Sequence, residues 1–311
     1  MQIRKGTVNR MSIAKMSTIH NSYRYFTVSV DGYEDRCMKG VIYQAGQVPG
    51  FLFHNFLEMA LHMNCIFDEM SCPKQTMDVR LFSGTRVPSP PIQRCGEYRD
   101  GKLATFQIYV KYRYNASWQG EIAWLEGEQR EDFSSFLQML RIINTILGDS
   151  PNRTDGGEIT DICQIAVDSF EEGLIEGSVQ NAVLNHIRAF RGIVDLAYAM
   201  GNLLEIGITS SDLVSVSDRE RPGRKKIITD ETWKTYKRGG KKATFLIKIL
   251  FREHSTWQGI IYWRENGEKQ QFRSFLEMMF LMASAVAGAD CGSEYEDRYY
   301  TDFGDRTLMQ G

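Results

Sequence analysis

One pattern occurs four times in this sequence, and it constrains the fold more than any other feature. A glycine is followed thirteen residues later by an aromatic ring in the pairs Gly40 and Phe53, Gly120 and Phe133, Gly177 and Phe190, and Gly259 and Phe272. Apolar residues alternate from a point fourteen residues before each glycine, at Phe26, Phe106, Cys163 or Phe245. The four segments align without gaps, which indicates an internal repeat.

Each repeat predicts three strands followed by one helix. In the fourth, apolar residues alternate from Phe245 to Phe251 and again from Trp257 to Trp263, which is the period of a strand with one buried face. After the turn at Asn266 and Gly267, a short third strand ends on Phe272. The period then becomes helical, with one apolar stripe formed by Phe275, Leu276, Met279, Met282 and Val286. We therefore expect β-β-β-α modules at about 23–70, 103–148, 160–205 and 242–288.

The predicted helices also carry start signals. Asn55, Ser135, Gly192 and Ser274 open them, and Glu58, Gln138, Asp195 and Glu277 follow three residues later. In the second and fourth modules this is a capping box, and the other two are close variants of it. The repeated carboxylates thus have a structural explanation.

The repeat spacing predicts the domain organisation. Successive glycines are separated by 80, 57 and 82 residues, so the short interval falls between the second and third modules. The predicted fold class is α+β, with four tandem modules in two pseudo-symmetric halves, 1–150 and 151–311. The first and third modules lack the tryptophans of the other two, so each half pairs a divergent module with a well-kept one.

Composition and charge narrow the class of protein. The chain has 311 residues, of which 42% are hydrophobic and 24% charged, and it lacks an apolar run long enough for a membrane span or signal peptide. Its six cysteines form no C-x-x-C pair, which favours reduced structural thiols and a cytoplasmic protein. The net charge of -2 argues against a globally basic nucleic-acid binder.

The two well-kept modules resemble a known group of sequences. Residues 105–147 and 244–286 carry Ser/Thr-Trp-Gln-Gly, a strand, Phe-Arg-Ser and a capped helix, although the second module has Ser134 and Gln138 in place of the arginine and the acid. In this they resemble a family of small uncharacterised bacterial proteins, and the resemblance implies no activity. By topology the module is similar to the partial double-stranded-RNA-binding fold of HicB antitoxins, which is an analogy of fold alone.

Catalytic and metal sites have no signature in the sequence. None of the five histidines recurs at a fixed position in the module or shows metal-ligand spacing. Phosphate-binding glycine loops and nucleophile elbows are absent from strand-turn-helix contexts. Trp257 and Trp263 suggest a stacking platform, but they share a face with Ile261, so we favour core packing. We expect a non-enzymatic protein without catalytic residues, cofactor or metal.

A basic segment is the strongest charge feature. Between 219 and 242 the chain has ten Lys or Arg residues and three acids. Such a segment can bind phosphates with stacking aromatics, can be a solvated linker, or can contact the acidic tail after Asp290. We favour the linker. The alternative function, binding of RNA or a ribonucleoprotein, would use Arg221, Arg224, Lys225, Lys226, Trp233, Lys237, Arg238, Lys241 and Lys242.

The outward strand faces support the leading hypothesis, a non-enzymatic bacterial interaction or regulatory protein that binds a protein partner through its repeated modules. In the fourth module, Leu246, Leu250, Ile260 and Tyr262 lie opposite the helix side, and the second module has Tyr109 and Leu125 there. A sheet covered by a helix on one face needs a covering for an apolar opposite face. We therefore expect modules to pack on one another, or on a protein partner, through these residues. Partner identity and oligomeric state remain open.

Overall fold

The computed structural model describes residues 22–44, 48–148, 162–181, 187–203 and 239–288. The chain is α+β and has two antiparallel sheets and four helices within these ranges. The first sheet contains β1 (Tyr25–Glu34), β2 (Cys37–Gln44), β3 (Gly50–Phe53), β4 (Arg94–Cys95), β5 (Ala104–Tyr112), β6 (Gln119–Trp124) and β7 (Gln129–Phe133). The second contains β8 (Ile162–Glu171), β9 (Leu174–Gln180), β10 (Ile187–Arg191), β11 (Ala243–Phe251), β12 (Gln258–Trp263) and β13 (Glu268–Phe272). The helices are α1 (Phe56–Glu69), α2 (Phe136–Leu147), α3 (Gly192–Leu203) and α4 (Phe275–Ala287).

Six strands of the first sheet have the same order as the six strands of the second, and β4 adds an edge strand to the first. The first runs β4-β3-β2-β1-β5-β6-β7 and the second runs β10-β9-β8-β11-β12-β13. In each, two sets of three consecutive strands join edge to edge, through β1 with β5 and through β8 with β11. Helices of the first sheet contact helices of the second, α1 with α3 and α2 with α4. In the described part of the chain, the three-stranded sets therefore associate through strand edges and helices, and packing of one set on another through the outward faces is not seen there.

The repeated glycine has a steric cause. A Cβ added to Gly40, Gly120, Gly177 or Gly259 would lie 1.9 to 2.0 Å from a backbone oxygen of the neighbouring strand. Each of these glycines also pairs across the sheet with the aromatic residue thirteen positions later. A β-bulge follows in the neighbouring strand at the same place in all four hairpins. Only glycine permits such close backbone approach at a bulge.

Burial in the core explains why the second and fourth segments both have a tryptophan two residues before the repeated glycine. Trp118 and Trp257 are buried and make edge-on contacts with Phe136 and Phe275, at ring-centroid distances of 5.1 and 5.4 Å. This confirms core packing for these two rings. Cys163 is also buried, and burial raises the pKa of its thiol to about 12, as expected for a structural cysteine. One continuous set of buried side chains includes residues of both sheets.

Helix burial exceeds the single apolar stripe that the periodicity predicts. In α4, every residue from Phe275 to Ala285 is buried, including Glu277 and Ser284. In α1, Glu58, His62 and Asn64 are buried with their apolar neighbours. The reason is that each helix packs on its own sheet and also meets helices or loops of the other sheet, so a second face is covered.

Hairpin turns of each sheet dock on helix N-termini of the other. Ser135 Oγ accepts the N–H of Gln138 and donates to the Ser255 carbonyl at 2.6 Å, and Ser274 Oγ bridges Glu277 N–H and the Ala116 carbonyl in the same way. Asn55 caps α1 and donates to Glu172 O at 2.9 Å. The three predicted caps with side chains are confirmed, and each also joins the two sheets. Gly192 has no side chain with which to do this.

The residue three positions after each cap accepts a backbone N–H from the residue before the cap, as Glu277 does from Arg273 at 2.6 Å and Gln138 from Ser134 at 2.8 Å. Glu58 accepts His54 N–H at 2.6 Å, but its buried carboxylate has a titratable neighbour, the His54 ring, at 3.1 Å. Burial raises the pKa of Glu58 above its ordinary value of about 4.5.

Replacing Glu58 with glutamine is expected to make stability less dependent on pH. Because the folded-state pKa of Glu58 is raised, the folded chain binds more protons in the window just above pH 4.5, and wild-type stability falls as pH rises through it. The amide can keep the bond to His54 N–H, as Gln138 does at its own position. Urea unfolding across this window should show a variant gain of at most about 1.4 kcal/mol per pH unit. A difference that is constant with pH would contradict this, and Glu128→Gln at an exposed turn is the control.

Candidate functional surface

The outward face of the first sheet carries a group of tyrosines near the end of β5. Tyr25 and Tyr109 are cross-strand partners, and their rings stack with centroids 4.1 Å apart. Tyr112 and Tyr114 form a second stacked pair at 5.0 Å. Tyr25, Tyr112 and Tyr114 are exposed. The four rings present rigid aromatic area to solvent, with hydroxyl groups that can bind polar atoms of a partner.

The charged residues around this tyrosine group are of both signs, so they give the surface little net charge. Lys111 forms ion pairs with Glu121 and Asp132, and Arg130 also approaches Glu121, at 3.5 Å. Hydrogen bonding to Glu121 raises the pKa of Lys111. Partial burial and the neighbouring Tyr109 raise the pKa of Tyr25, so its hydroxyl stays protonated at neutral pH. The patch is therefore aromatic and polar, rather than strongly basic or acidic.

The outward face of the second sheet carries an apolar group at the matching end of β11. Leu250 is 43% exposed and Phe251 is 60% exposed. Ile260 and Tyr262 on β12 are half-buried, and they pair with Lys248 and Leu246. Phe251 occupies the position in the repeat that Tyr112 occupies on the first sheet, because both lie eight residues before the repeated glycine. The two sheets thus expose a large ring at the same place.

Phe251 differs from the sequence expectation. Alternation from Phe245 predicts that Phe251 points to the buried face, but the register shifts between Ile249 and Phe251. This bulge reverses the parity of the strand, and Phe251 pairs with Gln258 on the outward face. A bulge inserts one residue, so every later side chain changes faces. The repeated glycine opposite it was the available signal.

The other predicted protein-binding residues occupy different environments. Tyr109 lies in the stacked tyrosine group, and Leu125 is exposed just after β6. Leu246 is 1% exposed, so a partner has no direct access to its side chain. Tyr25, Tyr112 and Tyr114 were not among the predicted residues, and Tyr112 is directed outward by the bulge after Val110, which alternation does not detect.

The predicted nucleic-acid-binding segment falls mostly outside the described residues. Of its members, Arg221, Arg224, Lys225, Lys226, Trp233, Lys237 and Arg238 belong to that undescribed range. Lys241 and Lys242 are described, and both are exposed at the start of β11. Their backbone N–H groups bond to the Asp168 carboxylate and the Val167 carbonyl. The side chains therefore extend into solvent beside β8.

Two other kinds of feature, metal-binding clusters and membrane-spanning helices, are absent from the described part of the chain. Within the described ranges, no group of three or more His, Cys, Asp and Glu side chains is arranged to hold a metal ion. None of the helices in those ranges is long and apolar enough to cross a membrane. Comparison of the chain with protein-family models, curated proteins and solved structures finds no match.

Proposed function

We propose that this is a non-enzymatic interaction or regulatory protein that binds a protein partner through the outward faces of its two sheets. The observation that carries the proposal is the exposed ring at one repeat position on both sheets, Tyr112 and Phe251, each beside a further exposed side chain, Tyr114 or Leu250. Contiguous exposed aromatic and aliphatic side chains are typical of protein interfaces, where tyrosine supplies large contact area at low entropic cost.

The repeat architecture belongs to the same proposal. We take the four segments as copies of one β-β-β-α module, paired into halves at 1–150 and 151–311. Support comes from features that recur in every copy: the close-approach glycine, the opposing bulge and the acceptor three residues after the helix cap. Under this organisation the two outward faces occupy equivalent positions, one on each half, and the protein can bridge two partner molecules.

The experiment that tests partner binding uses charge insertion on one face. Full-length protein with Leu250→Asp and Ile260→Asp is captured from the organism's own cells after nuclease treatment and compared with wild type. We expect the amount of a stoichiometric protein partner to fall at least about tenfold, because a buried unpaired carboxylate costs several kcal/mol at an interface.

The control is Leu103→Asp, since Leu103 is 50% exposed and lies outside both aromatic groups. Circular dichroism checks that all three proteins fold. Equal partner recovery with the double variant and with wild type would contradict the proposal, as would equal losses with the double variant and with Leu103→Asp.

Binding of RNA or a ribonucleoprotein is the other outcome that this capture can reveal. It predicts material that is recovered only when the nuclease is omitted, and a steep salt dependence, because displaced counterions drive binding to phosphates. Neutralising Lys225, Lys226, Lys241 and Lys242 should then reduce the salt dependence. Protein recovery that persists after nuclease treatment and depends on Leu250 and Ile260 favours the protein-binding function instead.

A further inference from the structure

A solvent-open cleft of about 580 Å³ lies between the two sheets. Its walls come from the β1–β2 turn at Arg36, from the end of α2 at Asn144, and from β10 and α3 at Arg191 and Asp195. The volume lies within the range of small-molecule sites, and such sites occur preferentially where two structural units meet. The outward aromatic faces are on the opposite sides of the sheets, so the cleft is separate from the surface proposed above.

A chain of buried polar groups forms the floor of the cleft. Tyr33 donates its hydroxyl proton to Asn144 Oδ1, and Asn144 Nδ2 donates to the Tyr198 hydroxyl at 2.8 Å. Asn144 is buried, and Tyr33 and Tyr198 are largely buried. Burial raises the pKa of Tyr33, so its hydroxyl keeps the proton that it donates. The network fixes the position of the Tyr33 ring at the cleft wall.

The fold itself does not require these polar groups. Each of these positions has an equivalent in the repeats of the other sheet, and the residues there are Phe170 for Tyr33, Ala283 for Asn144 and Leu61 for Tyr198. Ala283 and Leu61 are buried, and Phe170 packs against the core, so apolar side chains serve the same structural role there. Gly173 stands at the position of Arg36, and a Cβ on it would meet the Glu58 backbone at 3.2 Å. The polar residues and the open cleft therefore occur together at Arg36, whereas the equivalent place at Gly173 has apolar residues at the matching positions and is closely packed.

The charged groups of the cleft have donors in excess of acceptors. Asp195 Oδ1 accepts from Arg36 at 2.5 Å, and its Oδ2 accepts the Arg191 backbone N–H at 3.2 Å. Arg191 gives its Nε–H to Glu176 at 2.8 Å. A guanidinium carries five N–H groups, so Arg36 and Arg191 both retain donors for a further acceptor. Asp195 is engaged through both oxygens, and Asp35, the other carboxylate of the lining, lies 3.9 Å from Arg191 Nη1. Both carboxylates of the lining thus have an arginine neighbour, and the unused guanidinium N–H groups favour an anionic ligand over a cation.

The Arg36 guanidinium is held in place for such a role. Its carbon lies 4.7 Å from the centre of the Tyr198 ring, and its ion pair with Asp195 is mostly shielded from solvent. A planar guanidinium fixed by stacking and by one carboxylate can offer its remaining edge to a carboxylate or phosphate. Arg188, 3.7 Å from Asp195, adds a third positive charge nearby.

We propose that this cleft binds a small organic anion, whose carboxylate or phosphate group is held by Arg36 and Arg191 while the Tyr33 hydroxyl contacts its polar body. The site depends on the junction of the two sheets and is independent of the proposed partner surface. Ligand binding here would stabilise that junction, because residues of both sheets contribute to it.

The test is titration of the full-length protein by calorimetry and thermal unfolding, with one series of phosphates (inorganic phosphate and glycerol phosphate) and one of carboxylates (citrate and benzoate). Chloride at matched ionic strength is the blank. We expect saturable binding in one series, and the series that binds identifies the anionic group. Arg191→Gln should weaken that binding roughly tenfold or more, since a charge-assisted bond is lost. Tyr33→Phe, which retains the ring, should weaken it to a smaller extent.

Arg130→Gln is the matched control, because Arg130 is an exposed arginine on β7 whose ion pair with Glu121 lies outside the cleft. It should bind as wild type does. The proposal is overturned if no probe binds at about 10 mM, a concentration that should populate even a weak site. It is equally overturned if folded Arg191→Gln retains wild-type affinity, or if Arg130→Gln loses as much affinity as Arg191→Gln.

Discussion

Gly259→Ala is expected to destabilise the protein by about 3 kcal/mol, at the upper end of the range for overpacking a buried site. The added Cβ would lie 2.0 Å from the Lys248 carbonyl oxygen and 2.8 Å from Phe272 Cζ. The carbonyl belongs to the backbone of β11, a central strand of the second sheet, so it cannot move away without breaking pairing to β8 or β12. Urea unfolding followed by circular dichroism measures the loss.

The control for this prediction is Gly96→Ala. A Cβ on Gly96 would have no heavy atom within 4 Å, and its backbone conformation is one that alanine adopts readily. We expect a change within about 0.5 kcal/mol, as for an ordinary surface substitution. Equal and small effects at Gly96 and Gly259 would show that the close approach at the repeated glycine does not determine the fold.

Phe82→Ala is expected to cost about 3–5 kcal/mol, the usual loss when a buried phenylalanine is truncated. Phe82 belongs to the segment between α1 and β4, yet it packs against the second sheet, on Trp263 at 5.3 Å and Phe245 at 6.3 Å between ring centroids. Around it, Arg80 N–H donates to Glu277, and Ser83 N–H donates to Glu268. The segment thus fastens the first sheet to the second.

The matched control is Met77→Ala, because Met77 lies in the same segment and its side chain is exposed. We expect little change in the unfolding midpoint for this variant. Intrinsic tryptophan fluorescence gives a second readout for Phe82→Ala, since the Trp263 indole loses a ring neighbour. A midpoint equal to wild type in Phe82→Ala would contradict a structural role for the segment between the sheets.

The strands, the helices and three of the four caps were predictable from the sequence because their causes are local. Alternating apolar residues, a turn and an N-cap residue act within a few positions, and the gap-free repeat supplies each signal several times. The inward tryptophans were predictable for the same reason, since Trp257 shares parity with Ile261.

The joining of the two sheets was not predictable, because its contacts are long-range. Nothing in the segment around Phe82 distinguishes it from a loop, and the bridging role of Ser135 and Ser274 depends on turns more than a hundred residues away. Nor does periodicity report a second buried helix face. Apolar residues on α4 exceed what one sheet needs, and the partner helix and the segment around Phe82 cover the second face.

The candidate surface was predictable in part. Leu250 and Ile260 follow from strand parity, whereas Phe251 and Tyr112 are directed outward by bulges that alternation cannot detect. Leu246 follows the same parity as Ile260 but is buried. Parity assigns a side chain to a face, and exposure depends on what covers that face.

Site-specific photo-crosslinking tests the central proposal most directly. A photoreactive phenylalanine analogue replaces Phe251 in the full-length protein, and the same analogue replaces Leu103 in a second preparation. After irradiation in the organism's own cells, the account predicts a discrete protein adduct at position 251 that survives nuclease treatment, and no such adduct at position 103. Absence of a protein adduct at position 251, or the same adducts at both positions, would contradict the account.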